Sequence, residues 1–109
     1  MSYPSGPRDL RRDARVSSEL PVTISIGTQF SVQGHLKDLS QKSAFIRIRH
    51  SMFLQTNDDV GFSIQLSPTD VNEVIQGMAR VSRIVPGEGF AVYFLKLDDA
   101  SMTHLRKLV

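Results

Sequence analysis

Four arginines lie close together near the start of the chain, and their chemistry is that of anion binding. Arg8, Arg11, Arg12 and Arg15 stand against two aspartates, so this segment alone carries a charge of four minus two, which equals the net +2 of the whole chain. A guanidinium group holds phosphate through two parallel hydrogen bonds and also pairs with the O6 and N7 edge of guanine. The spacing of Arg11 and Arg15 fits contact with a phosphate and a guanine together, although a solvated charge cluster has the same appearance.

A second group of polar side chains runs from Asp38 to Ser43, in the order Asp-Leu-Ser-Gln-Lys-Ser. An aspartate carboxylate accepts hydrogen bonds from N1 and N2 of guanine, and the hydroxyl of Ser40 donates or accepts beside it. The same residue types favour Asx and Ser turns, so a purely structural role is the alternative. Asp38 and Ser40 are therefore candidate contacts for the edge of a guanine base.

The remaining reactive residue types form no pattern that indicates catalysis or metal binding. The chain has no cysteine, which excludes disulfides, thiolate metal ligands and a cysteine nucleophile. His35, His50 and His104 have no second ligand-type residue at metal-binding spacing, and they read as surface histidines. The sequence also lacks a phosphate loop, a dinucleotide fingerprint and a nucleophile elbow. We therefore expect a domain that is not an enzyme and that uses no metal and no cofactor.

Hydrophobic alternation predicts six β-strands that must position the polar groups. Apolar side chains recur at every second residue, which is typical of strands with one buried face. Turn-forming residues separate the segments at roughly ten-residue spacing, as in antiparallel barrels and sandwiches. The predicted fold class is therefore all-β (mainly β), with strands between about residues 20 and 97. The predicted segments are 20–26, 30–37, 44–49, 60–67, 75–81 and 90–94.

The two ends of the chain differ from the strands. Residues 1–10 contain prolines and a glycine without sustained periodicity, which predicts a flexible leader, and the arginine arm 11–15 follows it. Near the other end, Asp98 or Asp99 suits a helix N-cap. We predict a short C-terminal helix over about 99–109 that packs an apolar stripe on the barrel. The stripe consists of Met102, Leu105 and Leu108.

The two polar motifs on this strand pattern resemble the PilZ domain, the bacterial receptor module for cyclic di-GMP. That family carries Arg-x-x-x-Arg ahead of its first strand, as at residues 11–15, and (Asp/Asn)-x-Ser-x-x-Gly after its second, as at residues 38–43. The resemblance covers residues 11–109 as one domain, including residues 44–47 and the closing stretch 89–94. It implies a six-stranded antiparallel barrel with helical additions, and cyclic di-GMP as the ligand.

The resemblance also implies a binding site and a mechanism. The arm would wrap onto the barrel when ligand binds and would change the surface offered to a partner protein. Ser43 stands where the family has glycine: serine costs about 1 kcal/mol or more if the backbone needs positive φ, and is tolerated if only space is needed. Leu10, not arginine, precedes the arm, which favours one bound ligand over a stacked pair. The implied ligand contacts are Arg11, Arg12, Arg15, Asp38, Ser40 and Ser43.

Two other functions fit the same residues. One is a degenerate PilZ domain that acts as a protein-interaction scaffold without nucleotide, for which Ser43 is the best argument. The other is an RNA- or DNA-binding barrel, which is disfavoured because the charge is local and aromatic platforms are few. The phenylalanines expected on buried strand faces are Phe30, Phe62, Phe90 and Phe94.

No apolar run approaches the roughly 20 residues of a membrane span, and no signal peptide is visible, so we expect a cytoplasmic protein without membrane insertion.

Overall fold

Six antiparallel strands close into a barrel in the computed structural model, which describes residues 19–27, 30–48 and 53–109. The strand order around the barrel is β1-β2-β3-β6-β5-β4, and β1 completes the ring because it pairs with both β2 and β4. The predicted all-β barrel with a C-terminal helix is confirmed, whereas the predicted flexible arm lies outside the described residues. The elements are β1 Pro21–Ile26, β2 Phe30–Leu39, β3 Ser43–Arg47, β4 Asp59–Gln65, β5 Val74–Val85, β6 Gly89–Leu97 and α1 Asp99–Leu108.

The inward faces of the strands form one hydrophobic core. Ile24 of β1, Ile64 of β4 and Phe90 of β6 are fully buried in it, as the alternation predicts. Burying such a side chain contributes roughly 1.5–3 kcal/mol. The barrel is closely packed at the β3–β6 contact, where a Cβ on Gly89 would overlap the carbonyl oxygen of Ile46. The two strands therefore approach each other too closely at this point to admit a side chain on residue 89.

A β-bulge in β2 breaks the simple alternation. Leu36 pairs with Ile46 and Asp38 pairs with Phe45, so Lys37 is an extra residue in the ladder. The bulge shifts the strand by one residue and returns Leu39 to the core. Predicting the strand end at residue 37 was therefore wrong, because the extra residue makes a continuing strand look like the start of a polar turn.

The C-terminal helix packs on the barrel through two residues of the predicted stripe, Leu105 and Leu108, but not through the third, Met102. Asp98 is its N-cap and accepts a hydrogen bond from the Ser101 backbone N–H at 2.7 Å. Ser101 is buried, and its hydroxyl accepts a hydrogen bond from the Gln76 backbone N–H at 2.9 Å. Leu105 is buried as predicted, but Met102 is 38% exposed. The small buried serine brings the helix close to β5 and turns Met102 away from it.

The phenylalanine predictions hold in the barrel wall and fail at its end. Phe62 and Phe90 are buried, and Phe94 is half-buried and stacks on Phe62 with ring centroids 5.1 Å apart. Phe30 is 49% exposed, so its predicted burial was wrong. It is the first residue of β2, and it packs edge-on against Phe53 at 5.4 Å instead of entering the core.

Candidate functional site

Asp38 lies on the outer surface of the barrel because of the bulge in β2. It is paired with Phe45 of β3, which is buried but does not belong to the core cluster. The Lys37 ammonium lies 5.2 Å from the centroid of the Phe45 ring and 3.7 Å from Glu88 Oε1. Asp38 is half-buried in this environment. Its carboxylate therefore belongs to the outer sheet surface and not to the core.

Ser40 and Ser43 close the connection between β2 and β3 through short-range hydrogen bonds. The Ser40 backbone N–H donates to the Ser43 carbonyl oxygen at 2.9 Å, and the Ser43 backbone N–H donates to Ser40 Oγ at 3.2 Å. The two hydroxyl oxygens share a hydrogen bond of 2.9 Å. Within the described residues, Asn57 is the one non-glycine residue with positive φ, so Ser43 has an ordinary backbone conformation. The serine at position 43 therefore causes no backbone strain in this structure, which leaves space as the remaining reason why the family has glycine there.

The turn between β2 and β3 is attached to β6. The Phe94 backbone N–H donates to the Lys42 carbonyl oxygen at 2.8 Å, and Ser43 lies directly opposite Tyr93. Tyr93 in turn lies opposite Arg80 of β5. These outer residues continue the surface that carries Asp38 and the two serines, and neither polar motif includes Tyr93 or Arg80.

The chain enters the barrel beside this surface. The Leu36 backbone N–H donates to the Leu20 carbonyl oxygen at 2.8 Å, just before β1 begins. Glu19 Oε2 lies 4.0 Å from Arg47 Nη1 on the outer face of β3. The structure thus brings Asp38, Ser40 and Ser43 together. The other predicted contacts, Arg11, Arg12 and Arg15, lie outside the described residues.

Two grooves on the described part of the chain lie away from Asp38 and the two serines. One of about 620 Å³ is lined by His35, Arg47 and Phe53 at the open end of β2 and β3. Another of about 460 Å³ lies over Gly61 and Gly77 on β4 and β5. Neither is lined by Asp38 or the two serines, whereas a smaller groove of about 250 Å³ lies between Gln41 of the turn and Met102, Leu105 and Arg106 of α1.

A comparison with models of known protein families shows which family the chain belongs to. The family model described as "PilZ domain" matches residues 9–109, which include both polar motifs. The chain belongs to the PilZ domain family. This family consists of cyclic di-GMP receptors, which are binding modules and not catalytic domains.

Solved structures with the PilZ fold support the assignment. The inhibitor of motility MotI/DgrA of Bacillus subtilis superposes with a TM-score of 0.72 at 14% identity over 90% of this chain. The chain spans 48% of the length of MotI/DgrA. The PilZ domain of CeSA from a cellulose-synthesizing bacterium gives a TM-score of 0.63 at 20% identity, covering 88% of this chain and 94% of that one. At these identities the likeness shows the fold. No curated protein sequence matches the chain.

The remaining predictions concern metal sites, histidines and membranes. In residues 19–27, 30–48 and 53–109 of this PilZ domain, no group of His, Asp and Glu side chains is arranged to hold a metal ion. His35 is exposed as predicted, His104 is half-buried against the prediction, and His50 lies outside the described residues. Among the described helices, none is long and apolar enough to cross a membrane.

Proposed function

We propose that this PilZ domain binds cyclic di-GMP on the outer surface of β2 and β3. The observation that carries the proposal is the convergence of Asp38, Ser40 and Ser43 on one surface, within a family match that also covers the arginine arm. The bulge turns Asp38 outward, and the hydrogen-bonded turn places both hydroxyl groups beside it. This surface offers a carboxylate and hydroxyls to the edge of a guanine base.

Each candidate residue has a distinct chemical role in the proposal. Asp38 accepts hydrogen bonds from N1 and N2 of a guanine, and Ser40 contacts the same edge. Arg11 and Arg15 hold a phosphate and a guanine through bidentate contacts. Arg12 adds positive charge near the phosphates, and Ser43 lines the pocket.

The position of Glu19 supports contact between the arm and this surface. Glu19, the first described residue, lies 4.0 Å from Arg47, so the described chain begins beside the outer face of β3. Arg47 is two residues from Phe45, which lies opposite Asp38. The four residues from Arg15 to Glu19 span at most about 14 Å, so the arm is long enough to reach Asp38 and short enough to stay near it.

The proposed response is ordering of the arm over an open sheet surface. The ligand supplies the phosphates that bring the arginines to the barrel, and the closed arm alters the surface available to a partner protein. MotI/DgrA is described as an inhibitor of motility. By analogy, we propose that this domain acts on a partner protein that recognises the altered surface.

Titration calorimetry with cyclic di-GMP tests the proposal. We expect saturable binding to the wild-type chain, and the number of molecules bound distinguishes one ligand from a stacked pair. Arg15→Ala should weaken binding by at least about 1.5 kcal/mol, as expected for lost hydrogen bonds to a charged group. Arg8→Ala is the matched control, since it removes an arginine outside the motif and should leave the affinity nearly unchanged. Absence of binding at high micromolar ligand would overturn the proposal.

A protein-interaction scaffold without nucleotide is the second candidate. It is favoured by the bond between Ser40 Oγ and Ser43 Oγ, because the hydroxyl proposed to contact guanine is already engaged within the turn. In that case a partner protein would bind with the same affinity in the presence and absence of cyclic di-GMP. Ligand-dependent partner binding would exclude it.

A further inference from the structure

Four outward side chains stand in one row across four neighbouring strands. Ser43 of β3 lies opposite Tyr93 of β6, Tyr93 lies opposite Arg80 of β5, and Arg80 lies opposite Asp59 of β4. Directly opposite residues of antiparallel strands share a face of the sheet and are in contact range. The row therefore begins at the turn of the candidate site and extends it across the barrel wall.

Tyr93 presents an exposed aromatic ring at the second position of this row. It is 39% exposed in the middle of β6, where its neighbour Val92 is buried in the core. Among the aromatic residues of the described ranges, only Phe30 shares this degree of exposure, and it lies at the opposite end of β2 from Ser40. The Phe45 ring on the same outer face is buried. Tyr93 is thus the accessible ring beside the serine turn.

Arg80 is paired with Asp59 beside that ring. Its Nε and Nη2 donate to the two carboxylate oxygens of Asp59 at 2.6 and 3.1 Å. The Tyr93 side chain also interacts with the guanidinium. Asp59 uses Nε and one hydrogen of Nη2, which leaves Nη1 and the second hydrogen of Nη2 for other contacts. An exposed ring and an arginine paired with Asp59 therefore lie side by side on this surface.

We propose that Tyr93 is a ligand-contacting residue whose ring stacks on a guanine base of cyclic di-GMP, and that Arg80, clamped by Asp59, positions the ring. The inference rests on the proposed function and adds a subsite that the two polar motifs do not contain. Neighbouring strands are about 5 Å apart, so a base whose edge reaches Ser40 and Ser43 extends over Tyr93. Stacking uses the face of the base while Asp38 uses the edge, so the two contacts do not compete.

The tyrosine content of the chain provides a direct reporter. The chain has no tryptophan and two tyrosines, Tyr3 and Tyr93, so Tyr3→Phe leaves Tyr93 as the single dominant fluorophore. In this variant, cyclic di-GMP should quench tyrosine emission with the same midpoint as the calorimetric titration. Free N-acetyltyrosinamide with the same nucleotide concentrations corrects for absorption by guanine.

Four substitutions complete the test. Tyr93→Ala should weaken cyclic di-GMP binding about fivefold or more, the lower range for a lost base–aromatic stack. Tyr93→Phe keeps the ring and loses only the hydroxyl that contacts Arg80, so its loss should be no larger than that of Arg80→Ala. Phe30→Ala, which truncates the other exposed ring, is the matched control and should leave the affinity unchanged. Arg80→Ala should weaken binding in the wild-type background but not in the Tyr93→Ala background, because a positioning residue acts through the ring.

The outcomes separate this proposal from the proposed function. Binding to the wild-type chain with no quenching in the Tyr3→Phe variant and an unchanged affinity in Tyr93→Ala would overturn the role of Tyr93 alone. Absence of binding to the wild-type chain would overturn the cyclic di-GMP function, and the stacking contact with it. Equal losses for Arg80→Ala in both backgrounds would overturn the positioning role.

Discussion

Asp59 and Arg80 face each other across β4 and β5 and are joined by two hydrogen bonds of 2.6 and 3.1 Å. The hydrogen bond from Arg80 lowers the pKa of Asp59 below its ordinary value, and the carboxylate raises the pKa of Arg80 in turn. Both side chains remain well exposed, and exposed ion pairs add little to the free energy of unfolding. The pair therefore serves to orient Arg80 more than to stabilise the barrel.

The acid titration of Asp59 should report this pairing. Because its folded pKa is depressed, the pair contributes above the unfolded pKa of about 3.8 and is lost as the pH falls through the folded value. We expect the NMR titration midpoint of the Asp59 carboxyl carbon to lie below 3.8 in the wild-type chain and to rise in Arg80→Ala. Identical midpoints in the two proteins would contradict the pairing in solution.

Removal of the helix cap should destabilise the domain in a pH-dependent way. The pKa of Asp98 is lowered by its hydrogen bonds from Ser101. Asp98→Ala should lower the melting temperature by a few degrees at neutral pH, and the difference should vanish as the pH falls through the folded pKa of Asp98. Asp99→Ala, which removes a first-turn carboxylate outside the cap, is the control and should have a smaller effect. Melting curves followed by circular dichroism measure both.

Truncating phenylalanines should separate the core from the rim of the barrel. Phe90→Ala removes a fully buried ring and should reduce the free energy of unfolding by roughly 3–5 kcal/mol. Phe30→Ala should cost about 1 kcal/mol, since it loses only the edge-on contact with Phe53. Urea denaturation gives both values, and similar losses for the two variants would show that Phe30 is buried in solution.

Replacing Ser43 by the family glycine should strengthen cyclic di-GMP binding by a few fold. Ser43→Gly removes the hydroxyl that bonds to Ser40 Oγ and so frees one hydrogen-bonding position of Ser40 Oγ for the ligand. The contacts of Ser40 Oγ with the backbone N–H and the carbonyl oxygen of residue 43 remain. Because Ser43 has ordinary φ, the gain comes from the hydroxyl and not from relief of backbone strain.

The variant Ser43→Ala serves as the control for this substitution, since it removes the same hydroxyl and keeps Cβ. Equal gains in calorimetry for the two variants would identify the hydroxyl as the cause. Unchanged affinity in both would show that the Ser40–Ser43 bond does not compete with the ligand. Binding by Ser43→Gly alone, with none by the wild-type chain, would favour the scaffold function.

Alternation with a period of two was sufficient to predict all six strands, because each strand buries one face in a single core. It did not predict the bulge at Lys37, since an extra residue in one strand is visible only against its partner β3. The site was predicted where its residues are local in sequence, at Asp38, Ser40 and Ser43.

The row that includes Tyr93 and Arg80 was missed because it depends on pairing between distant strands. Strand β6 lies between β3 and β5, and no local pattern reveals that order. The available signal was the position of these residues in the alternation of each strand: Arg80 lies between Ala79 and Val81, two residues of the core. This position predicts that a side chain points outward, but it does not predict which residue lies beside it on the next strand.

The extra residue at Lys37 has a consequence for engineering. Asp38 and the turn after it are positioned by their pairing with β3, and the bulge absorbs the mismatch with the first part of β2. The β1–β2 hairpin, which turns at Gly27 far from the serines, can therefore change in length without moving them. This hairpin is the place to insert a fluorescent or affinity module when the domain is converted into a biosensor, since the inserted chain leaves the binding surface intact.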